Sequence, residues 1–382
     1  MFKKSRWLVA YILVLIFSQG VFAFQNGQAT VSGTDQQEIR PDFPYKDGWL
    51  GGDAAYSVPI AAYQSLWLFG DSFVGDSNAR SRAGSKLVRN SVGISTYDDA
   101  SGWSIKYFWN RKGKSDPNAF FEPKEGAGYF YWPMDGFQAG ENLYVALSRV
   151  RTVDKGGPFN FEITGVDLAC ISNYMLPPEK WKIEYVELNA GTEMFPGVSI
   201  SVIGQHVYFY MLFDNKAEKR RPVLLERIAI KRLTQPSANL EYYAKDHKWK
   251  RGFDLKDAEE VFPTGTTEMS VRYHEDSRKW VAISGPAYLS NKILISTAEA
   301  LTGPWSEWQT LYEVPEMKPA NPVYDPGVFC YAGKEHFEFY QPDKKAIEIT
   351  YVCNSSKFDK LISNMSIYRP IPLYLPLPAQ GK

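Results

Sequence analysis

The 382-residue chain holds 43 basic and 43 acidic residues, but Lys3, Lys4 and Arg6 precede an apolar start, leaving 40 basic against 43 acidic, a net of −3. That balance gives no general attraction for nucleic acid or an anionic membrane, so both are excluded as partners beyond an export signal. Aromatic residues make up 15%, with 11 Trp and 24 Tyr, and although most of these rings fill a core, flat rings also suit the apolar faces of a neutral sugar.

Residues 1–23 read as a secretory signal peptide. The three basic residues lead into the apolar stretch Trp7 to Phe17, and Val21, Phe22 and Ala23 end in small-residue cleavage chemistry. The stretch is short for a membrane span, with an uncleaved anchor as the alternative, and the expected location is secreted or periplasmic. Residues 24–44 form a leader in which Gln25 to Gln37 is either flexible or a strand that closes a ring.

From residue 45 to 372 the pattern is strand after strand. Five short β-type runs are each introduced by a carboxylate or a turn: Gly52 to Ile60, Trp132 to Phe137, Glu193 to Ile200, Thr267 to Tyr273 and Tyr324 to Phe329. Each is followed by a second run rich in β-branched and aromatic residues, namely Ser65 to Phe69, Asn142 to Leu147, His206 to Leu212, Lys279 to Ser284 and Ala346 to Val352. Helical periodicity is confined to short pieces such as Asp254 to Val261 and Lys357 to Asn364. The repeat predicts an all-β fold, a five-bladed β-propeller with antiparallel four-stranded blades, closing as one domain over residues 45–372. Its blades fall at 45–115, 125–190, 191–250, 262–316 and 320–372, followed by a C-terminal tail at 373–382 within a proline-rich extended end.

Three cysteines leave at least one thiol unpaired. Cys330 and Cys353 lie on runs that are candidate neighbours in the last blade, where an oxidising compartment permits a disulfide, but spacing leaves the pairing of Cys170, Cys330 and Cys353 open. Three scattered cysteines and four histidines have no zinc-like spacing, so neither a metal nor a cofactor is expected.

Several blocks, taken in order, resemble a known family. Gly52-Asp53, Leu66 to Gly75, Arg89 to Ser91, Trp132 to Gly136, Leu224 to Arg227, Thr267 to Val271, Gly303 to Trp305 and Ile349 to Ser355 with Tyr368 to Pro370 look like exported bacterial propellers of the domain of unknown function numbered 4185. That group is similar in fold to the five-bladed glycoside hydrolases of the family 43 type, and some members are endo-D-arabinanases. Members often carry a histidine-containing block in the last blade, where this chain has Tyr324 to Phe329.

The resemblance implies a carbohydrate-active protein, and glycoside cleavage needs one carboxylic acid to protonate the leaving oxygen and one carboxylate to attack or activate water. Asp53, behind two glycines, takes the place of base or nucleophile by resemblance; its plainer reading is a turn with an Asp cap. Glu268 is the candidate general acid, since Met269 and Val271 would desolvate it, against the plainer reading of a solvated strand face. Asp135 is the candidate third carboxylate, or else a turn residue before Gly136. Asp71, Asn90 and Asp325 are candidates for hydroxyl recognition, and Trp132 for stacking. The expected partner is a polysaccharide or oligosaccharide.

Two other functions compete. A binding propeller without chemistry would keep the aromatic mouth and lose the need for placed carboxylates. Leu68 to Ser77 also resembles the nucleophile block of the Gly-Asp-Ser esterases, with Ser72 attacking an ester, but the oxyanion and late Asp-x-x-His blocks of those enzymes are missing from the sequence.

Overall fold

Four of the predicted opening runs lie largely on first strands, whereas Tyr324 to Phe329 is mostly turn and only Val328 and Phe329 enter the first strand of the last blade; the second runs pair with the first strands as antiparallel neighbours. The computed structural model describes residues 40–378 apart from 99–100, 113–115, 155–159 and 286–289, together with 24–25 and 28–29. The expected signal peptide, most of the leader and the end of the tail lie outside the described residues. Blade 1 comprises Trp49–Ala61, Gln64–Val74, Ser91–Asp98 and Gly102–Phe108, with Lys86–Val88 added to its second strand. Blade 2 comprises Tyr129–Ala139, Asn142–Thr152, Phe161–Ile171 and Ile183–Asn189. Blade 3 runs from Met194–Ile203 through His206–Phe213 and Val223–Ala229 to two short outer strands, Glu241–Tyr243 and Trp249–Arg251.

Blade 4 comprises Met269–His274, Lys279–Ser284, Lys292–Ala298 and Gln309–Glu313. Blade 5 is the narrowest, with Val328–Glu335, Ala346–Ser355 and Pro370–Pro376. The first strands touch one another in cyclic order, and that of blade 5 meets that of blade 1, so the sheets close into a five-bladed all-β propeller. The first strands therefore line the axis. Of the two short helical pieces expected, Lys357 to Asn364 contains the helix Phe358–Ser363, whereas Asp254 to Val261 is made of turns.

Second strands read as nearly continuous apolar runs because each blade is covered on both faces by its neighbours. Seven of the eight residues of His206–Phe213 are buried. One apolar cluster runs through blades 1 to 4, with Val58, Leu68, Leu147, Phe209 and Val271 among its members. A second carries the core from blade 4 through blade 5 back to blade 1, using Ile283, Ile293, Ile347, Tyr351 and Phe73. Cys330 and Cys353 face each other on adjacent strands of blade 5 and form a disulfide, which resolves the open pairing; Cys170 is a free thiol.

The seam between blades 5 and 1 carries a buried cation. Arg82, only 1% exposed, donates to the carbonyls of Leu50 at 2.8 Å, Leu361 at 2.8 Å, Asn364 at 2.9 Å and Ile367 at 2.6 Å, and to the Tyr45 hydroxyl at 3.0 Å. Leu50 lies on the first strand of blade 1 and the other three carbonyls belong to the helix Phe358–Ser363 and the turn after it, and all four need a donor out of water. Replacing Arg82 by Met should therefore cost about 3 kcal/mol or more, because the acceptors are left buried and unpaired. Urea unfolding followed by tryptophan fluorescence measures this, and a loss below about 1 kcal/mol would mean that the seam is held by other contacts.

Candidate active site

The first strand of blade 1 is bent where the acids sit. Its pairing with Gln64–Val74 shifts register between Trp49 and Gly52, between Gly52 and Ala54 and between Ala54 and Tyr56, while Ala54 and Ala55 take φ of 64° and 59°. A non-glycine residue in this left-handed region costs roughly 1–2 kcal/mol, and bulges of this kind re-aim side chains. The first strand of blade 5 does the same between Tyr331 and Lys334, where Ala332 has φ 63°. Two glycines make room. A Cβ on Gly51, itself at φ 115°, would lie 2.1 Å from the Tyr368 carbonyl oxygen, and one on Gly70 would lie 2.4 Å from Asp53 Oδ1.

These bends place Asp53, Asp71 and Glu268 close enough for each of the latter two to act on the charge of Asp53. The Tyr331 hydroxyl donates to Asp53 Oδ2 at 2.7 Å, and the Tyr368 hydroxyl reaches the same oxygen at 3.4 Å. Burial, then the negative charge of Asp71, push the Asp53 carboxyl up to about 8, against the pull of Tyr331; Glu268 adds to the rise. Burial also raises Asp71, opposed by Arg89, whose Nη1 lies 3.0 Å from Asp71 Oδ2, and by Trp132, whose Nε1 donates to Oδ1 at 2.9 Å. Glu268 is raised by burial, with the Lys334 ammonium and the Thr267 hydroxyl pulling the other way. All three acids retain some solvent access.

Asp135 occupies a different place from the one expected. It is fully buried, its Oδ1 accepting from the Gly136 amide at 2.9 Å and its Oδ2 from the Ile200 amide at 2.7 Å and Arg272 Nη2 at 2.8 Å. Arg272 also donates to Ser199 Oγ at 2.9 Å, so this carboxylate ties blades 2, 3 and 4 together. Asp135 was expected as the third carboxylate of the cluster, and the acid found with Asp53 and Glu268 is Asp71.

Asn90 is likewise committed to the fold. Its amide donates to the carbonyls of Phe121 and Tyr131 at 3.0 and 2.9 Å while its oxygen accepts from the Phe121 amide at 2.7 Å. Asp325 accepts from the Gly327 amide at 2.8 Å and pairs with Lys357 at 3.0 Å, interactions that hold it below the usual carboxylate range. Trp132 is partly exposed, edge-on to Phe161 with centroids 4.7 Å apart, next to Asp71. A cavity of about 160 Å³ in blade 2 is a separate feature, built around Arg149 and its ion pairs with Glu125, Asp167 and Glu187.

Ser72 does not fit an esterase. It is buried, donates to the Gly70 carbonyl at 2.9 Å and shares a hydrogen bond with Ser91 Oγ at 2.8 Å. The histidines bond elsewhere: His336 to Ser57 and Thr350, His247 to Tyr243, while His274 Nε2 lies 3.0 Å from Glu335. Sequence reasoning missed Tyr331, Tyr368 and Lys334. A tyrosine or lysine inside a β-type run signals only a half-buried face.

With this geometry established, comparison with known proteins is informative. Residues 43–373 match the family model DUF5005, a domain of unknown function. The chain belongs to the DUF5005 family. That replaces the family numbered 4185 to which the motif blocks were compared. No curated protein matches the chain. Among solved structures, this DUF5005 member is similar to a candidate hydrolase from Bacteroides ovatus, with 18% identity, a TM-score of 0.69 and 86% of each chain covered, a likeness of fold. More distant are an α-L-arabinofuranosidase from Podospora anserina in complex with cellotriose, at 9% identity and TM-score 0.47 over 88% of this chain and 94% of that one, and an endo-arabinase from Bacteroides thetaiotaomicron, at 10% and 0.46 over 86% and 95%.

The Asp53 environment has a sign that stability measurements read. Its carboxyl binds a proton more tightly in the fold than in the unfolded chain, so between pH 3.8 and about 8 the folded state holds the extra proton and stability falls as pH rises. Asp53→Asn removes that dependence while leaving an oxygen for the Tyr331 hydroxyl. The variant should melt above the wild type, by more at pH 8 than at pH 5, in a thermal scan; an equal difference at both pH values would contradict the assignment.

Proposed function

We propose that this chain is an exported glycoside hydrolase that cleaves an arabinan-like polysaccharide by acid/base chemistry between Asp53 and Glu268. The observation that carries the reading is the asymmetry between these two carboxyl groups. Asp53 has two acidic neighbours, Asp71 and Glu268, and only neutral tyrosine donors, whereas Glu268 has the Lys334 ammonium. With its carboxyl pushed up to about 8 by burial and by Asp71, Asp53 holds a proton near neutral pH, while the Lys334 charge favours the ionised form of Glu268. Two carboxyl groups whose surroundings separate their protonation states are the requirement of glycoside hydrolysis.

In this mechanism Asp53 gives its proton to the glycosidic oxygen as the bond from that oxygen to the anomeric carbon breaks. The ionised Glu268 either attacks that carbon or takes a proton from the water that does, and the water's oxygen ends on the released sugar. The roles are the reverse of those expected, for Asp53 from the motif resemblance and for Glu268 from its apolar neighbours Met269 and Val271. Asp71 keeps Asp53 protonated by its own charge. Trp132 and Arg89, gathered at Asp71, offer a ring face and a hydrogen-bond donor to a neutral sugar. A polymeric substrate outside the cell accords with the signal-like residues 1–23. Among the described residues, no helix is long and apolar enough to cross a membrane.

Screening the mature protein on arabinans, xylans and cell-wall polysaccharides for released reducing ends tests the activity. The variants separate the roles. Asp53→Asn should lose roughly 100-fold or more on the polysaccharide yet much less on an aryl glycoside whose leaving group needs no proton, while Glu268→Gln should lose on both. Glycan binding with no reducing ends released would instead identify a carbohydrate-binding propeller, and activity unchanged in both variants would remove these residues from the chemistry.

A further inference from the structure

Lys334 is an enclosed charge that the functional reading has so far used only as a neighbour. It is 1% exposed, donates from Nζ to the Ala332 carbonyl at 2.7 Å and to the Ala54 carbonyl, and lies 4.5 Å from the centroid of the Tyr56 ring. Both carbonyls belong to left-handed alanines, one in each bulged first strand flanking the seam. Two of the three ammonium protons are thus used on backbone that has left its ladder. Neutral carbonyls and a ring face hold the ammonium without cancelling its charge. That charge is felt by Glu268 first, then by Asp53 and Asp135.

Several groups meet around Glu268. Asp53, Tyr56 and Tyr331 interact with it electrostatically, Thr267 donates to Oε2 at 3.2 Å, and Lys334 is the cation whose charge favours its ionised form. Arg272, the other buried cation nearby, is spent on Asp135 at 2.8 Å. Asp53, by contrast, has its hydrogen bonds from the uncharged Tyr331 and Tyr368. The Tyr56 ring that Lys334 covers also leads to Glu268, its hydroxyl donating to the Thr267 carbonyl at 3.2 Å. Resting on the hydrolase reading for the identity of the reaction, we propose that Lys334 is a positioning residue that serves as the built-in cation of the site, its charge favouring the ionised form of Glu268 over that of Asp53 and so biasing which carboxyl acts as the acid.

A lysine tied by its ammonium to both bulges couples this bias to closure of the ring, since Ala54 and Ala332 come from the first and last blades. Burial lowers the Lys334 ammonium to about 8, so the same group that organises the site loses its charge at moderately alkaline pH.

Lys334→Gln keeps a donor for the carbonyls and removes the charge; Lys334→Arg keeps both. With side-chain carboxyl-labelled glutamate, NMR titration of folded Lys334→Gln should place Glu268 at least about one pH unit higher than in the wild type, with Lys334→Arg near the wild type. The acidic limb of the kcat/KM profile should move by the same amount, which a merely structural lysine would not cause. Because Lys334→Gln risks misfolding, the reciprocal measurement stands beside it: in Glu268→Gln, the 15N titration of the Lys334 amine should move down by a similar amount. A Lys334 titration unmoved in Glu268→Gln, or a Glu268 titration unmoved in folded Lys334→Gln, overturns the proposal and leaves Lys334 as a backbone clamp. These titrations need no turnover, so a wild type that releases no sugar from any polysaccharide defeats the hydrolase reading without touching them.

Discussion

The propeller depends on satisfying backbone carbonyls at the seam where the last blade meets the first. A ring of sheets closes only if two blades far apart in sequence fit together, and here both first strands at the junction are bulged, so some of their carbonyls have no strand partner. Leaving such groups buried and unpaired costs more than a typical hydrogen bond contributes. Two buried cations meet the need. Lys334 takes the first-strand carbonyls of Ala54 and Ala332, and Arg82 joins that of Leu50 to those of Leu361, Asn364 and Ile367 in the helix and turn after the second strand of blade 5. The disulfide between Cys330 and Cys353 lies in the same blade, next to the strand segment that carries Tyr331 and Lys334.

Having cations at the seam changes what acids can be placed there. Carboxylates gathered without counter-charge would either repel or take up protons, and Asp53 shows the second outcome. Further along, Lys334 also acts on Asp135, Asp135 is paired with Arg272, and Arg272 in turn feels Glu335 and Glu338. Opposite charges thus alternate through the protein from the three acids inward. The left-handed alanines and the protonated Asp53 are local costs, offset by two apolar clusters that between them reach all five blades. Such strain, sited where side chains must be re-aimed, is characteristic of functional sites and belongs to the low-stability part of a fold.

Much of the architecture was legible because propeller blades repeat a local pattern. Runs such as Lys279–Ser284 and Ala346–Ser355 are rich in β-branched and aromatic residues, and turns separate them at regular intervals. Placing Asp53 and Glu268 in one site followed from their position at the start of first strands. Choosing between Asp135 and Asp71 did not, because that choice rests on a partner 137 residues away: Arg272 captures Asp135, and nothing near Asp135 in the sequence announces it. Lys334 was invisible for the same reason. A lysine in a β-type run ordinarily marks a solvated face, and only the left-handed turn at Ala332 together with the bulge at Ala54 makes it an interior donor. The Gly-Asp-Ser likeness, set aside on sequence for want of its companion blocks, has a structural origin, since Gly70 leaves room for Asp53 Oδ1 and Ser72 bonds Ser91.

The distribution of these residues around the ring has a consequence for how site and fold are linked. Blade 1 supplies Asp53 and Asp71, blade 5 supplies Tyr331 and Lys334, Glu268 stands just before the first strand of blade 4, and Tyr368 precedes the last strand of blade 5. Blade 2 contributes the Trp132 indole to Asp71, while Asp135 and Ser199 are occupied in holding blades 2 and 3 to Arg272. These residues are therefore gathered toward the closing seam instead of being shared equally among the blades. A chain in which the seam opens would keep most of its apolar core, in the cluster spanning blades 1 to 4, yet would separate Tyr331 and Lys334 from Asp53. Assembly of this cluster is thereby coupled to the contact between blades 5 and 1.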